Sequence, residues 1–402
     1  MRVVEINAYD FGSTGKIMLQ ISKCAEKNNI EMMTFSSSIK GRKFGKELES
    51  HHYIDSLLYT YIHRLTGGLF GSEFSFSWLS TWKLVRTIEK FDPDIIHLHN
   101  IHGYYLNLKI LFRYLHNTRA KVVWTLHDCW SFTGRCPHYQ ISKCNKWKTG
   151  CYDCQFSLKT YPSSFLKDNS EKNYKLKKKY FRGIRDLTIV TPSKWLAEEV
   201  KKSILQEYKT VVINNGIDLK IFQPKPENAA LRSKCIEKKY IVLGVAFNYN
   251  FRKGLDVFTG LSKILPEEYQ IVMVGTNEKV DAQLPKNIIS INRTNNQEEL
   301  AEIYSMADVF INPTREDNYP TVNMEAIACG TPVITFNTGG SPEILTGKTG
   351  IVLEDNTVES MYEAVRNVCE NRVFSKIDCI EHARSFDMND RFKDYIDLYK
   401  SI

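Results

Sequence analysis

Residues 308–336 read DVFINPTREDNYPTVNMEAIACGTPVITF, and they predict a strand, a helix and a second strand. DVFIN (308–312) and PVITF (332–336) are short apolar runs of the kind that form buried parallel strands. The residues from about Thr321 to Ala328 between them have the pattern of a helix. This order predicts a βαβ unit, the building block of a parallel sheet covered by helices.

The same alternation runs through the whole chain in two cycles. The further strand-like runs are VVEIN (3–7), EMMTF (31–35), DIIHLH (94–99), KVVWTL (121–126), LTIVT (187–191), TVVIN (210–214), YIVLGVA (240–246), QIVMVG (270–275) and NIISI (287–291). Two cycles predict an α/β protein with two Rossmann-like, doubly wound domains that face a central cleft. In such domains the ligand lies at the carboxyl ends of the strands.

The domain boundary is predicted near NNGID (214–218), where Asn and Gly permit a turn. The first domain is then 1–215, with a Cys-rich insert at 129–154, and the second is 216–385. The remaining residues, 386–402, are expected to form a C-terminal helix that packs back on the first domain.

Composition supports two domains and disfavours a membrane-spanning protein. The chain has 402 residues, of which 43% are hydrophobic and 25% charged, enough for two cores. No window approaches the roughly 20 apolar residues of a spanning helix, and no signal-peptide core precedes the first strand. We therefore expect a cytoplasmic protein, with association to the inner face of the membrane as an option.

Charge is distributed unevenly. Residues 1–215 carry 33 Lys and Arg against 19 Asp and Glu, whereas 216–402 carry 21 against 27. A basic first half suggests an anionic partner, for example a lipid-linked diphosphate or an anionic bilayer. Two stretches fit this reading, the aromatic 56–82 and the basic 172–185. The alternatives to a membrane role are core packing for the aromatic stretch and solvated helix faces for the lysines. Nucleic acid is not expected as a partner, because no RNA-binding signature accompanies the lysines.

Two glycine-containing turns follow strands and precede helices. In AYDFGSTGKIMLQIS (8–22), Gly12 and Gly15 bracket a turn and Lys16 opens a helix, whose N-terminus can receive an anion or a sugar hydroxyl. In NYNFRKGLDVF (248–258), Arg252 and Lys253 beside a helix N-terminus suit a diphosphate. The alternative for the first segment is a purely structural turn, and the alternative for the second is ordinary surface charge.

The most specific signal is the pair of carboxylates in the segment quoted first. Asp317 and Glu325 are eight residues apart: Asp317 begins the turn-like DNYP (317–320), and Glu325 lies in the predicted helix that follows, from about Thr321 to Ala328. Free N–H groups of the helix N-terminus lie between them, so the segment could hold sugar hydroxyls on one side and a ribose on the other.

This segment resembles the donor-binding signature of retaining family 4 (group 1) glycosyltransferases, which have the GT-B fold. The resemblance covers nearly the whole chain through GSTGK (12–16), PDIIHLHNIHGYYL (93–106), TLHDCWSFTGRC (125–136), TPSKWL (191–196), NGIDLKIF (215–222), RKG (252–254) and VMVGT (272–276). The HDCW and CxxC stretch is similar to the branch that builds capsular and exopolysaccharides, including colanic-acid-type enzymes.

The resemblance implies roles for individual residues. Glu325 matches the Glu that holds the ribose, Asp317 stands where a Glu contacts the transferred sugar, Lys253 matches the diphosphate Lys, and His127 matches the His over the donor sugar. Phe247 stands roughly where the family has a second cation, which Arg252 could replace. Further donor contacts are expected at Gly12, Gly15, Lys16, Asp128, Gly275, Glu316, Asn318, Tyr319, Thr321 and Val322.

The implied reaction is a metal-independent hexosyl transfer with retention, from a nucleotide sugar to a glycan or polyprenyl-diphosphate-linked acceptor. Asp92-Pro93-Asp94 spells the DxD of a metal-dependent class, but it precedes a strand instead of following one. A nucleotide-sugar epimerase or hydrolase on the same fold, or a silent scaffold, are the remaining alternatives.

Five of the ten cysteines fall between Cys129 and Cys154. Four of them, Cys136, Cys144, Cys151 and Cys154, predict a structural zinc site in a cytosolic protein, with Cys129 or His138 as substitutes. Unmetallated packing and disulfides are the alternatives, because the spacing is looser than that of a standard zinc finger.

Overall fold

The protein is described by a computed structural model covering residues 1–37, 49–54, 57–71, 74, 76–154, 163–226, 232–233 and 238–402, with the backbone alone for 57–59 and 70. The chain divides into two compact units. Unit 1 consists of Met1–Asn214 with Phe392–Ile402, and unit 2 consists of Asn215–Arg391.

Unit 1 contains a parallel sheet with helices in its crossovers. Its described strands are β1 (Arg2–Ile6), β2 (Glu31–Ser36), β3 (His51–Tyr53), β4 (Ile95–Leu98), β5 (Lys121–Thr125), β6 (Leu187–Thr191) and β7 (Lys209–Val212). Its described α-helices are α1 (Gly12–Lys27), α2 (Leu57–Phe70), α3 (Trp78–Phe91), α4 (Leu108–Leu115), α5 (Ser170–Tyr180) and α6 (Lys194–Lys201). The strand order is β3-β2-β1-β4-β5-β6-β7.

Unit 2 repeats this architecture. Its described strands are β8 (Tyr240–Val245), β9 (Tyr269–Val274), β10 (Ile288–Ile291), β11 (Val309–Asn312), β12 (Val333–Phe336) and β13 (Gly350–Leu353), in the order β10-β9-β8-β11-β12-β13. Its described α-helices are α7 (Leu255–Ile264), α8 (Glu278–Asp281), α9 (Gln297–Met306), α10 (Thr321–Ala328), α11 (Val358–Asn371) and α12 (Lys376–Ala383). The predicted fold class of two Rossmann-like α/β domains is confirmed.

The strands are continuous apolar runs because hydrophobic cores lie on both faces of the sheet. In unit 2, one core contains Met324 and Ile327 of α10, and a second contains Met361 and Val365 of α11. Helices thus cover both faces of the sheet, and both faces of each central strand are buried.

The order of the strands reverses at one place in each sheet. In unit 1 the reversal lies between β1 and β4, and in unit 2 it lies between β8 and β11. In doubly wound sheets a crevice forms at such a reversal, outside the carboxyl ends of the strands, and ligands bind there. A ligand is therefore expected beside the residues that follow these four strands.

The last helix, α13 (Met388–Ser401), contributes its second part to unit 1. Tyr395 and Tyr399 are buried, and the Tyr399 hydroxyl lies 2.5 Å from Nδ1 of His97 on β4. The Tyr395 hydroxyl accepts from Thr125 of β5 at 3.4 Å. Among the described residues no helix is both long and apolar enough to cross a membrane.

Candidate active site

Lys253 lies in the loop that follows β8, at the strand reversal of unit 2. Asn250 begins a short 3-10 turn, Phe251–Lys253, by accepting from the Lys253 N–H at 3.1 Å. Gly254 then adopts a φ of 72°, and a Cβ placed on it would lie 2.5 Å from Cγ of Pro313. Only glycine fits this approach. The loop after β8 is thereby packed on the loop after β11.

Asp317 in the loop after β11 forms an ion pair with Lys253. The Lys253 Nζ donates to Asp317 Oδ2 at 2.6 Å, and the two side chains are only 16% and 23% exposed. The other carboxylate oxygen accepts from the Asn318 N–H at 2.9 Å. The structure therefore brings together two of the three residues predicted to be catalytic.

Arg252 supports the same two loops. Its Nη1 donates to the Glu316 carbonyl at 3.1 Å, and its own carbonyl accepts from the Arg315 N–H at 2.8 Å. The Arg315 guanidinium makes two bonds to Asp256 and lies 4.1 Å from the centre of the Phe251 ring. Nothing in the sequence pattern singled out Arg315. Phe247, which stands where the resemblance places a second cation, is largely exposed.

The other end of the predicted donor segment is organised by α10. Glu325 accepts from the hydroxyl of Tyr304 on α9 at 3.1 Å, while Thr321 and Val322 in the first turn are half-buried. Burial, with the Glu325 carboxylate as a further cause, raises the pKa of Tyr304, so its hydroxyl remains a donor. Tyr304 was missed because a tyrosine at helical spacing looks like a core residue.

Four of the predicted donor contacts are parts of the packed framework. Glu316, Asn318 and Tyr319 are buried, and the Asn318 carbonyl accepts from the Gly340 N–H at 2.8 Å. Gly275 follows β9 with a φ of 92°, and a Cβ there would lie 1.8 Å from the Ala246 carbonyl oxygen. These four residues thus belong to the packed loops that follow β9 and β11.

In unit 1, the loop after β1 leads directly into α1. The helix begins at Gly12, not at Lys16 as predicted, because the glycine-containing turn itself is helical. Gly15 is buried, and a Cβ on it would lie 2.6 Å from the Asp10 carbonyl carbon. Lys16, the fifth residue of α1, is exposed. Asn7 holds this loop to the one after β4, because its Oδ1 accepts from the Asn100 N–H at 3.1 Å.

His127 and Asp128 follow β5 in unit 1. His127 is partly exposed, its Nε2 lies 3.2 Å from Nδ1 of His99, and burial lowers its pKa to about 3. Asp128 faces His102 at 3.0 Å and accepts from the Trp130 N–H at 2.8 Å. Burial opposes ionisation of Asp128, but His102, His138 and the Trp130 N–H together outweigh it, and the pKa falls to about 2. His99 and His102 lie in PDIIHLHNIHGYYL (93–106), and no role was predicted for either of them.

The four cysteines of the predicted zinc site lie close enough to influence one another. Burial raises the pKa of Cys136 to about 12 and that of Cys151 to about 11, with Cys154 a further cause for both. The Gly134 N–H donates to Cys151 Sγ at 3.1 Å. Among the described residues, the side chains whose donor atoms lie mutually within 4.8 Å are Glu5, His97 and His99, not these thiols.

The basic stretch 172–185 does not present all its lysines to solvent. Lys177 was expected on the surface, but it is 1% exposed. Its Nζ donates to the carbonyls of Trp130 and Thr133 and lies 3.5 Å from the centre of the Trp130 ring. The expectation was wrong because α5 packs this face on the segment after β5. Lys172, Lys178 and Lys179 are exposed.

The aromatic stretch 56–82 has several large side chains in solvent. Tyr61 on α2 is 67% exposed and Trp78 on α3 is 63% exposed, and Leu65 and Trp82 are also exposed. Phe165, which is exposed too, donates its N–H to the Gly68 carbonyl at 3.0 Å, beside the end of α2. Residues 56, 72–73 and 75 of this stretch lie outside the described residues.

Two Rossmann-type units, each with polar residues at its strand reversal, place the chain among the two-domain α/β proteins, and sequence comparison identifies the family. The model described as Glycosyltransferase Family 4 matches residues 15–221, more than half of the chain, and that of Glycosyl transferases group 1 matches residues 238–371. The chain therefore belongs to this glycosyltransferase family, which confirms the resemblance read from its motifs.

Individual relatives agree with this assignment. The chain is 25% identical to the putative colanic acid biosynthesis glycosyl transferase WcaC of Escherichia coli, over 80% of each chain. It is 23% identical to an uncharacterized 41.2 kDa protein in the cps region of Klebsiella pneumoniae, over 79% of this chain and 82% of that protein. The crystal structure of Anabaena HepE in complex with UDP has the same fold, with a TM-score of 0.70, 14% identity and full coverage of both chains.

Proposed function

We propose that this glycosyltransferase transfers a hexose, with retention and without a catalytic metal, from a nucleoside diphosphate sugar to a glycan or polyprenyl-diphosphate-linked acceptor. The observation that carries the proposal is the shielded Lys253–Asp317 pair, 2.6 Å apart at the strand reversal of unit 2. The names of WcaC and of the cps-region protein support a role in surface polysaccharide synthesis, and the UDP complex of HepE supports a nucleotide donor.

Lys253 and Arg252 act on the leaving diphosphate in this proposal. Charge develops on that group as the bond to the sugar breaks, and fixed cations stabilise it without further reorganisation. Asp317, which pairs with Lys253 in this structure, contacts the transferred sugar. Glu325, oriented by Tyr304, binds the ribose hydroxyls.

His127 orients the sugar and does not act as a base. An imidazole with a pKa of about 3 is too weakly basic to take a hydroxyl proton near neutral pH. The leaving diphosphate then accepts the acceptor's proton on the same face of the sugar, which gives retention.

Thermal stabilisation and product analysis test this function. Purified protein is mixed with a panel of nucleoside diphosphates and their sugars, and anomeric configuration is read by NMR in the presence of candidate acceptors. Stabilisation by a nucleoside diphosphate and an anomerically retained product support the proposal. An inverted product, epimerised or hydrolysed donor without transfer, or no stabilisation by any nucleotide would refute it.

We also propose a structural zinc ion held by Cys136, Cys144, Cys151 and Cys154. A four-thiolate zinc site carries net negative charge, and the buried cation of Lys177 opposes the effect of burial on Cys136 and Cys151. The N–H of Gly134 on Cys151 Sγ is the kind of outer contact that supports such ligands. Metal analysis of purified protein should give one zinc per chain. A zinc content below about 0.3 equivalents per chain, together with unchanged stability of the protein after treatment with a chelator, would contradict the proposed zinc site.

The acceptor side is proposed to work at an anionic membrane surface. Exposed Tyr61, Leu65 and Trp78 supply apolar contacts, and Lys178 and Lys179 supply charge. Binding to anionic vesicles should fall steeply with salt and be weakened by Lys178→Glu with Lys179→Glu. The matched control reverses two exposed lysines of unit 2, Lys263 and Lys286. Equal binding to neutral vesicles, or none to either, would argue for a soluble acceptor.

A further inference from the structure

Buried polar side chains connect the interior of the unit 1 sheet to His127. Glu5 of β1 stands opposite His97 of β4 in the parallel register, and His99 lies two residues further on, on the same face. Glu5, His97 and His99 are at most 1% exposed. The sheet therefore places a carboxylate and two imidazoles together, away from water.

The contacts form a continuous path from Glu5 to His127. Glu5 Oε1 lies 3.4 Å from His99 Nε2, and His99 Nδ1 lies 3.2 Å from His127 Nε2. The rings of His99 and His127 are stacked, with centroids 5.5 Å apart and an interplanar angle of 17°. His127 is the partly exposed end of this path, and Glu5 is its fully buried end.

Hydrogen bonding accounts for the cluster better than a metal ion does. Glu5, His97 and His99 have donor atoms within 4.8 Å of one another, a spacing that a metal could use. However, His97 Nε2 lies 2.8 Å from Thr125 Oγ1, and its Nδ1 lies 2.5 Å from the Tyr399 hydroxyl. Of the two ring nitrogens of His99, Nε2 faces Glu5 and Nδ1 faces His127. The imidazoles thus already have protein partners.

We propose that Glu5 and His99 are positioning residues that fix the ring orientation and the tautomer of His127. The proposal rests on the proposed function, because that function assigns His127 to the transferred sugar. A neutral imidazole carries one N–H, so the direction of one hydrogen bond at His99 fixes the direction of the other. When Glu5 accepts from His99 Nε2–H, His99 Nδ1 must accept from His127 Nε2–H. A proton on Glu5 Oε1 would reverse both bonds.

The electrostatics of the cluster favour neutral imidazoles. Burial lowers the pKa of His99 and of His127 to about 3, and it raises the pKa of Glu5. The second oxygen of Glu5, Oε2, has no hydrogen-bond partner among the described residues. Such a buried acceptor is costly to stability. Glu5→Gln should therefore not lower the melting temperature. Its side chain can present either an oxygen or an NH₂ group to His99 Nε2, so it no longer dictates the tautomer of His99.

A double-mutant cycle tests whether His99 acts through His127. His99→Phe keeps a ring of similar size and should lower kcat by about tenfold, the effect of one lost hydrogen bond, with the KM for the nucleotide sugar unchanged. In the His127→Ala background the same change should cause no further loss. His51→Phe is the control, because His51 in the same sheet is held by Thr34 and Ser36 and should leave kcat unchanged. Additive losses would overturn the proposal.

The imidazole nitrogens themselves provide a readout that needs no activity. NMR of protein labelled with ¹⁵N-histidine should show one neutral tautomer for His127 in the wild type and a mixture in His99→Phe and in Glu5→Gln. An unchanged tautomer in both variants would overturn the proposal. If His127→Ala leaves transfer intact, the proposed role of His127 fails, while the NMR result still decides whether Glu5 and His99 position it. If His99→Phe does not fold, the tautomer of His127 is measured in Glu5→Gln alone.

Discussion

Asp317→Asn should lower kcat by about tenfold or more without weakening nucleoside diphosphate binding. Asp317 Oδ2 lies 2.6 Å from Lys253 Nζ, and the pair is largely shielded from water. In the proposed complex Lys253 must also serve the diphosphate, so the carboxylate competes for the same cation. Asparagine keeps the shape of the side chain and removes the competition, but it loses the charged contact to the reacting sugar.

The geometry sets the size of the effect. Two unit charges at this separation attract by about 6 kcal/mol at an effective dielectric constant of 20, and desolvation of both groups offsets most of that energy. A hydrogen bond to a charged group has a net value of about 1.5–3 kcal/mol, which corresponds to at least about a tenfold change in rate. Lys253→Ala removes a fixed cation from the leaving group, and transfer should slow by on the order of a hundredfold.

Calorimetric titration with UDP and GDP, combined with initial rates of transfer, separates the two residues. Lys253→Ala should weaken binding and slow transfer, whereas Asp317→Asn should slow transfer alone. Lys263→Ala is the control, because Lys263 lies exposed in the last turn of α7, at the opposite end from Lys253. The reasoning is refuted if Asp317→Asn weakens nucleotide binding as much as Lys253→Ala does, or if it leaves transfer unchanged.

Three further predictions follow from the same contacts. Glu325→Ala should weaken nucleotide binding by about tenfold through lost ribose hydrogen bonds, with a smaller effect on kcat; an unchanged dissociation constant contradicts it. EDTA should not inhibit transfer, and a rate that EDTA abolishes and Mn²⁺ restores would instead favour a metal site at Asp92-Pro93-Asp94. Asp128→Asn should lower the free energy of unfolding at pH 7 by on the order of 2 kcal/mol, since the pKa of Asp128 is depressed to about 2. That stabilisation is present above the unfolded pKa of about 4 and is lost as the pH falls towards 2, so denaturant titrations of variant and wild type should converge there.

The sequence predicted the central strands of both sheets because buried parallel strands are uniformly apolar. It missed β3 and β13, which lie at sheet edges. β3 is the polar run HHY, and β13 is the short run GIVL, which begins with a glycine. The start of α1 was placed too late because a glycine-containing turn and a first helical turn look alike in sequence.

Contacts between distant segments could not be read in the same way. Lys253 and Asp317 were each predicted, but their pairing depends on the close approach of Gly254 to Pro313. Tyr304 on α9 holds Glu325 on α10, and neither its spacing nor its residue type marks it as more than a core tyrosine. Lys177 shows the opposite error, because a lysine within a basic run was counted as surface charge although carbonyl oxygens and a tryptophan ring surround it.

In the proposed reaction the two units supply different chemistry, unit 2 at its strand reversal and unit 1 around His127, which follows β5. Unit 2 presents cations and a carboxylate, Lys253, Arg252 and Asp317, and such groups act on charge that develops on a leaving diphosphate. Around His127, unit 1 keeps its imidazoles neutral, because burial lowers the pKa of His99 and His127 to about 3. In the proposed reaction, neutral donors and acceptors around His127 would bind the hydroxyls of the sugar without adding charge beside the anomeric carbon. The proposed mechanism, in which the leaving diphosphate takes the acceptor's proton, is consistent with this combination and requires no separate base.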